Sequence, residues 1–381
     1  MKVGIWDFVN SDIKICVDLK KDLKGKIAFK IFKDISNIAK RLEINPARLY
    51  EYFVWQKSVI PLKVIYSIAN ILNLPLGKLE KNITLIKQQH VPRKNSIKNP
   101  KLPLKISPYF TSIVANLFFD GSVPKDGKGT YYNQKDIELM NDFLKRVNFV
   151  LGNVNYSIKK DHRGILKCRL PRLIGEICRH VYKIDSFGTF DAKIPMFLFK
   201  LNDDHKKAFI LAAIIDEGSI AYDGSIIFGV SNKRMIEDFN DLCKNVGLET
   251  GGIKQKHNLK SNWASHYYLY ITSISKFKDI LDEMKSKYPL LSLRYKENRL
   301  IKALKIKDQS FSYTKEFSNK RKGLVIGALN KKSCTINQLA ENLIMPPRTL
   351  RRYMYRLMKE GKISRTKVGS EYYYSSNTQI G

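Results

Sequence analysis

Apolar residues recur along this chain at two spacings, and the spacing changes mark its segments. Between residues 31 and 85 the stretches DISNIAKRLEI, NPARLYEYFVW and PLKVIYSIANILNL repeat apolar positions every three or four residues, as at Ile35, Ile38, Ala39 and Leu42. That spacing predicts short amphipathic helices. Asn45 and Pro46 supply a cap and a first-turn proline for the second helix, and Pro61 opens the third. The first thirty residues are less legible, with WDFVN and IKICVDL as two candidate short strands. The run IKQQHVPRKNSIKNPKLPLK mixes Pro with Lys and Arg without any period, so residues 86–105 read as a basic linker.

At the far end, 306–320 is a polar link. Residues 321–381 then offer helices from LVIGAL, TINQLAENL and MPPRTLRRYMYRLMKEG, the last entered by Pro346 and Pro347 and left by Gly361. KISRTKVGSEYYYS adds a strand, a turn at Gly369-Ser370 and a second strand. Three helices and a hairpin make a winged helix.

The middle of the chain holds a duplication. IVANLFFDGSV (113–123) and FILAAIIDEGSI (209–220) share one pattern: an apolar run, an acid, Gly and Ser. Asp120 aligns with Glu217, 97 positions on (217 − 120). After the first copy come a glycine-rich turn at KDGKG, a helix in KDIELMNDFLKRV, strands in NVNYSIKK and GILKCRL, and a helix in PRLIGEICRHVYKI. After the second come a hairpin turning at Asp223-Gly224, a helix in MIEDFNDLCKNVG, strands in GGIKQKHN and HYYLYITS, and a helix in SKFKDILDEMKSKY. The order α-β-β-α-β-β-α fits both halves, 106–190 and 191–305.

Apolar helices with small residues four apart, Thr111 and Ala115 or Ala208 and Ala212, can approach each other closely about a pseudo-two-fold axis. The glycine after each acid lets the chain turn at once into a strand. Both acids then emerge at the same end of the helix pair. Adjacent carboxylates repel unless a cation neutralises them. Hard oxygen ligands suit Mg²⁺, which keeps several waters and completes its shell with phosphate.

IVANLFFDG and ILAAIIDEG resemble two copies of the LAGLIDADG motif. The resemblance covers about half of the chain, and it implies a LAGLIDADG homing endonuclease: an α+β fold of paired αββαββα halves that lays its sheets on double-stranded DNA and cuts both strands with Mg²⁺. The acid at the motif's penultimate position holds the metal, here Asp120 and Glu217, which are also the catalytic candidates. Asp216, directly beside Glu217, is a further candidate ligand, whereas the first copy has bulky Phe118 and Phe119 before its acid. Basic strand residues near the scissile phosphates are the family's other feature, and Lys159, Lys160, Lys167, Lys254 and Lys256 are candidates here. Within the N-terminal region 1–85, IAKRLEINPARLYEYF resembles the paired helices of a Cro/repressor-type helix-turn-helix, which puts Asn45, Arg48, Tyr50, Glu51 and Lys57 near DNA. TLRRYMYRLMKEGKI resembles the recognition helix of winged helix-turn-helix domains, with Arg348, Arg351, Arg352 and Arg356 along it. Regulators built on the same fold have lost the acids and do not cut, so a non-cleaving transcription regulator is the alternative. An RNA maturase is a third.

Charge sharpens the partner. Lys and Arg total 68 against 35 Asp and Glu, a net +33, which calls for a polyanion. Cys16, Cys168, Cys178, Cys243 and Cys334 form no C-x-x-C pair, so a zinc ribbon is excluded and free thiols in a reducing cytoplasm are expected. MKVGIWDFVNSDIK lacks the apolar core of a signal peptide, and no run approaches a membrane span. The internal duplication makes a monomer the expected state. His162, His180, His257 and His266 fit no metal or nuclease spacing.

Overall fold

The two motif stretches fold as helices that lie against each other in the interior. The computed structural model describes every residue except 57, 91, 93, 94, 125–128, 222–224, 257–264, 310–314, 344, 346 and 378–381, and for 306–309 and 315–320 it describes the backbone alone. The turns expected at KDGKG and at Asp223-Gly224, and the candidates Lys57, Pro346 and His257, therefore lie wholly or mainly outside the described residues.

The first half runs α1 (Pro108–Phe118), β1 (Gly121–Ser122), β2 (Thr130–Gln134), α2 (Ile137–Leu151), β3 (Ser157–Lys160), β4 (Leu166–Leu170) and α3 (Arg172–Tyr182). The second runs α4 (Asp203–Asp216), β5 (Gly218–Ile220), β6 (Ile226–Val230), α5 (Lys233–Asn245), β7 (Lys254–Lys256), β8 (His266–Ile271) and α6 (Ile274–Lys287). The sheets are ordered β1-β2-β4-β3 and β5-β6-β8-β7, the same arrangement twice, with antiparallel neighbours. Side-chain caps start several of these helices. Ser107 accepts from the Phe110 N–H, Asp136 from Glu138 and Leu139, Asn202 from His205, and Asn232 from Met235.

Every residue of α1 is buried, and α4 is buried continuously from Ala208 to Ile215. A helix apolar all round has no solvent face and must sit inside. Its neighbours here are the other motif helix, the sheets and the following helices, α2 against α1 and α5 and α6 against α4. Phe209 of α4 lies 6.2 Å from Phe118 and 5.8 Å from Phe119, ring centre to ring centre. Phe119 also meets Phe228 of β6 edge-on at 5.4 Å. The first copy's bulky pair thus fills the space between halves. At the opposite end of the helices the Thr111 hydroxyl lies 2.6 Å from His205 Nδ1 and 2.7 Å from the Tyr182 hydroxyl.

Outside the halves the structure departs from the sequence-based expectations. Residues Ile5–Phe8 form a 3₁₀ turn rather than a strand, Ile15–Leu19 is a strand, and Lys21–Phe32 is a helix that the weak period of KDLKGKIAFKIF did not reveal. The expected second helix is α-helical only over Pro46–Leu49 and continues as a π turn, Tyr50–Val54. The expected linker 86–105 is not one: Ile83–Gln88, Ser96–Lys98 and Leu104–Lys105 are strands. Ser96–Lys98 pairs on one side with Ile83–Gln88 and on the other with Asn153–Val154 of the first half, and Ile97 between them is wholly buried. A three-residue strand is too short to show a period. The polar link is largely helix, with Tyr295–Gln309 (α7) followed by Lys315–Lys331. Ile336–Asn342, Pro347–Lys359, strand Cys334–Thr335 and the hairpin Ile363–Val368/Glu371–Ser376 then close a second core around Leu339, Leu350, Met354 and Leu357. Among the described residues no helix is long and apolar enough to cross a membrane.

The motif glycines are required by space. A Cβ on Gly121 would lie 2.4 Å from Leu117 Cα, and one on Gly218 would lie 2.6 Å from the Ile214 carbonyl oxygen. Either contact is with backbone and can be relieved only by moving the helix end. Gly121→Ala and Gly218→Ala should each destabilise the fold by about 3 kcal/mol, read as a lower midpoint in urea. A loss near zero would show that these turns relax freely.

Candidate metal and DNA site at the helix junction

Asp120 follows α1 in a turn whose carbonyl oxygen accepts from Asn133 twice, from the main-chain N–H at 3.0 Å and from Nδ2 at 3.1 Å. Glu217 closes α4, its N–H donating to the Ala213 carbonyl at 2.9 Å. The backbone at each motif end is therefore held while the carboxyl is left to the junction. Burial pushes the Asp120 carboxyl up to about 6 against the opposing pull of Lys296. Glu217 rises to about 7, first through desolvation, then through the nearby Asp120 charge, again opposed by Lys296. Glu217 keeps much of its own surface in solvent. Carboxyls whose protons are held by burial release them when a cation is bound.

Asp216 is differently placed. It accepts from Asn116 Nδ2 at 2.8 Å and from the Tyr132 hydroxyl at 2.9 Å, one bond to each oxygen. Asn116 in turn accepts from Arg146, whose guanidinium also donates to the Ser112 hydroxyl. Arg146 is 2% exposed, a buried cation linked to Asp216 through one amide. Asp216 is thus turned into a polar network that ties α4 to α1, α2 and β2. Burial still raises its pKa well above the usual range.

The other partner of the junction is Lys296 on α7. Its ammonium donates to the carbonyls of Ile214 (2.8 Å), Ile215 (2.6 Å) and Gly218 (2.6 Å), and the residue is 5% exposed. Burial lowers it to about 8, against the raising pull of Asp216 and Asp120 and, more weakly, Glu217. Lys296 lies beyond both copies, so no motif pointed to it. Asn116, a lone amide in an apolar helix, and Arg146, on the buried side of α2, carried a visible signal that sequence reasoning passed over. Among the described residues no three acid, histidine or cysteine groups converge to hold a metal ion.

The strand lysines divide by register. Lys159, Lys167 and Asn133 sit opposite one another across β3, β4 and β2, sharing the outer face with Tyr131 and Arg169. Lys167 Nζ stands 4.8 Å over the Tyr131 ring. Lys160 belongs to the alternate register with Leu166 and Gln134, so it is on the other face from Lys159 and Lys167. In the second sheet Lys254 and Lys256 pair with Tyr268 and His266, and Lys254 stands 4.9 Å over Tyr270. Arg348, Arg351, Arg352 and Arg356 are exposed on Pro347–Lys359, opposite its buried Leu350, Tyr353, Met354 and Leu357. In the N-terminal region Asn45 caps its helix through Ala47, Arg48 is paired with Glu51 at 2.7 Å, and Tyr50 packs between Phe32 and Trp55. His162 is exposed, His180 lies against Phe8, and His266 bonds to Ser231.

No protein-family model and no curated protein sequence matches this chain. Solved structures match in part. The homing endonuclease I-DmoI in complex with DNA and Mn aligns over 46% of this chain and 94% of its own, at 15% identity and a TM-score of 0.31. Full-length DUF199/WhiA from Thermatoga maritima aligns over 66% and 90%, at 12% identity and a TM-score of 0.31. The N-terminal LAGLIDADG domain of DUF199/WhiA aligns over 48% and 84%, at 11% identity and 0.31. At such scores these likenesses carry no argument about this chain.

Two outcomes follow from the junction. Carboxylates ionise near pH 4 in an unfolded chain, whereas Asp120 and Glu217 keep their protons to about 6 and about 7. The folded state binds more protons across that window, so stability should fall as pH rises from about 4 to about 7. Thermal melts in EDTA should show the fall, and Asp120→Asn with Glu217→Gln should flatten it; an unchanged slope in the double variant would reject the assignment. Separately, Asn116→Leu strands Arg146 and Asp216 and should cost about 3 kcal/mol, measured by urea denaturation. A near-neutral result would mean the network is dispensable.

Proposed function

We propose that this protein binds double-stranded DNA and cuts it with a divalent cation, as a site-specific endonuclease of the LAGLIDADG type. The observation that carries the reading is the pair of carboxyls at the ends of two packed motif helices, close enough for the charge of Asp120 to raise the pKa of Glu217. Asp120 and Glu217 are the ligands in this reading. Asp216 is the structural acid beside them, because both its oxygens are already engaged. Two protein carboxylates leave most of a Mg²⁺ shell to water and phosphate oxygens, which fits an ion that dehydrates reluctantly. A bound Mg²⁺ would supply an activated water and a counter-charge for the leaving oxygen.

Lys159, Lys167, Lys254 and Lys256 would contact phosphates from the outer sheet faces, where Lys167 and Lys254 lie over the rings of Tyr131 and Tyr270. The arginines of Pro347–Lys359 would add a second contact to the same duplex. A non-cleaving regulator is the second reading, favoured by the helical units at both ends and by Lys296, a cation already seated at the acids.

The test is cleavage of a plasmid library carrying randomised and native-locus inserts, with Mg²⁺ or Mn²⁺. Double-strand breaks that need the metal and fall at least 100-fold in Asp120→Asn and in Glu217→Gln would establish the enzyme. Specific binding without any break would establish the regulator. In either case Lys167→Ala and Lys254→Ala should each reduce the slope of log affinity against log salt by about 1. A slope unchanged in both would remove the sheets from the DNA interface.

A further inference from the structure

The junction is not symmetric, and Lys296 is what breaks the symmetry. Its three hydrogen bonds span Asp216 and Glu217: two go to the last carbonyls of α4 and one to the first residue of β5. The aligned carbonyls in the first copy are those of Leu117, Phe118 and Gly121. Among the described residues no side chain donates to them, and Asn133 holds the Asp120 carbonyl instead. An ammonium at a helix C-terminus satisfies orphan carbonyls and meets the negative end of the helix dipole. Here it brackets the Asp216–Glu217 turn, and it comes from α7, beyond the last helix that has a counterpart in the first half.

The charges can be followed through the hydrogen bonds. Arg146 and Asp216 are linked to each other through Asn116, apart from the other two acids. That leaves Asp120 and Glu217 facing one fixed cation, Lys296. Lys296 offsets one of these two charges, so the remaining deficit is a single negative charge. A second divalent ion would meet net positive charge.

We infer that Lys296 is a positioning residue that takes the place of a metal ion, fixing the Asp216–Glu217 turn and limiting the junction to one divalent cation held by Asp120 and Glu217. This rests on the metal-binding part of the function proposed above, and its test separates the two. Mn²⁺ binding to the full-length protein is measured at pH 7.5 by titration calorimetry and by electron paramagnetic resonance of free Mn²⁺, with no DNA present. The wild type should bind one ion per chain, abolished by Asp120→Asn with Glu217→Gln. Lys296→Met should bind a second ion, or the first at least tenfold more tightly, and Lys296→Arg should restore wild-type stoichiometry. Circular dichroism checks that each variant is folded. If Lys296→Met does not fold, the wild-type stoichiometry still decides, because two or more acid-dependent ions overturn the inference. Identical binding by folded wild type and Lys296→Met overturns it as well. If the wild type binds no Mn²⁺ through the two acids, the metal-binding reading itself falls and takes this inference with it.

Discussion

Burial of two apolar helices against each other sets everything else in the molecule. α1 has no exposed residue, and α4 has none from Ala208 to Ile215. Helices of that kind must pack on all sides, and their contacts with each other hold the two halves together. The helix ends are held with them. Phe118 and Phe119, which look out of place in the motif, are part of the lock through Phe209 and Phe228. Gly121 and Gly218 complete it by letting each strand leave within van der Waals distance of the helix it follows.

The same packing forces charge into a confined place. Asp120, Asp216 and Glu217 arrive at one junction because their helices end there, and desolvation raises all three. The structure answers in two ways. One acid is absorbed into a hydrogen-bonded network with Asn116, Tyr132 and Arg146, which also links α4 to the first half. The other two have no such side-chain partner among the described residues and share the field of Lys296. Arg294, two residues before Lys296, pairs with Asp142 of α2 through bonds of 2.6 and 2.7 Å. The segment after α6 is thereby clamped to the first half, and Lys296 is delivered to the acids as a consequence. A short stretch of chain with no counterpart in the first half thus shapes the electrostatics of the junction.

Away from the junction, the outer sheet faces and the exposed side of Pro347–Lys359 concentrate lysine and arginine over tyrosine. A cation over an aromatic face is attracted to the ring and so held on the surface that carries it. This geometry suits a phosphate backbone, and it gives a local form to the net charge of +33.

The sequence by itself determined the duplication, the element order of both halves, the two acids at equivalent positions and the glycines behind them. Each of these is written in local spacing: helical period, strand alternation, a cap, a turn residue. Local spacing also misled where elements were short or polar. Ser96–Lys98 is a strand only because Ile83–Gln88 and Asn153–Val154 flank it, and α7 carries too many charges for an apolar stripe to show. The tertiary structure alone decided which acid is structural and which are left facing the junction, since Asp216 and Glu217 are neighbours in sequence and differ only in what surrounds them. It alone set Lys160 apart from Lys159 and Lys167, through strand register. And it alone brought Lys296 to the acids, because that contact joins residues about eighty positions apart with no pattern between them.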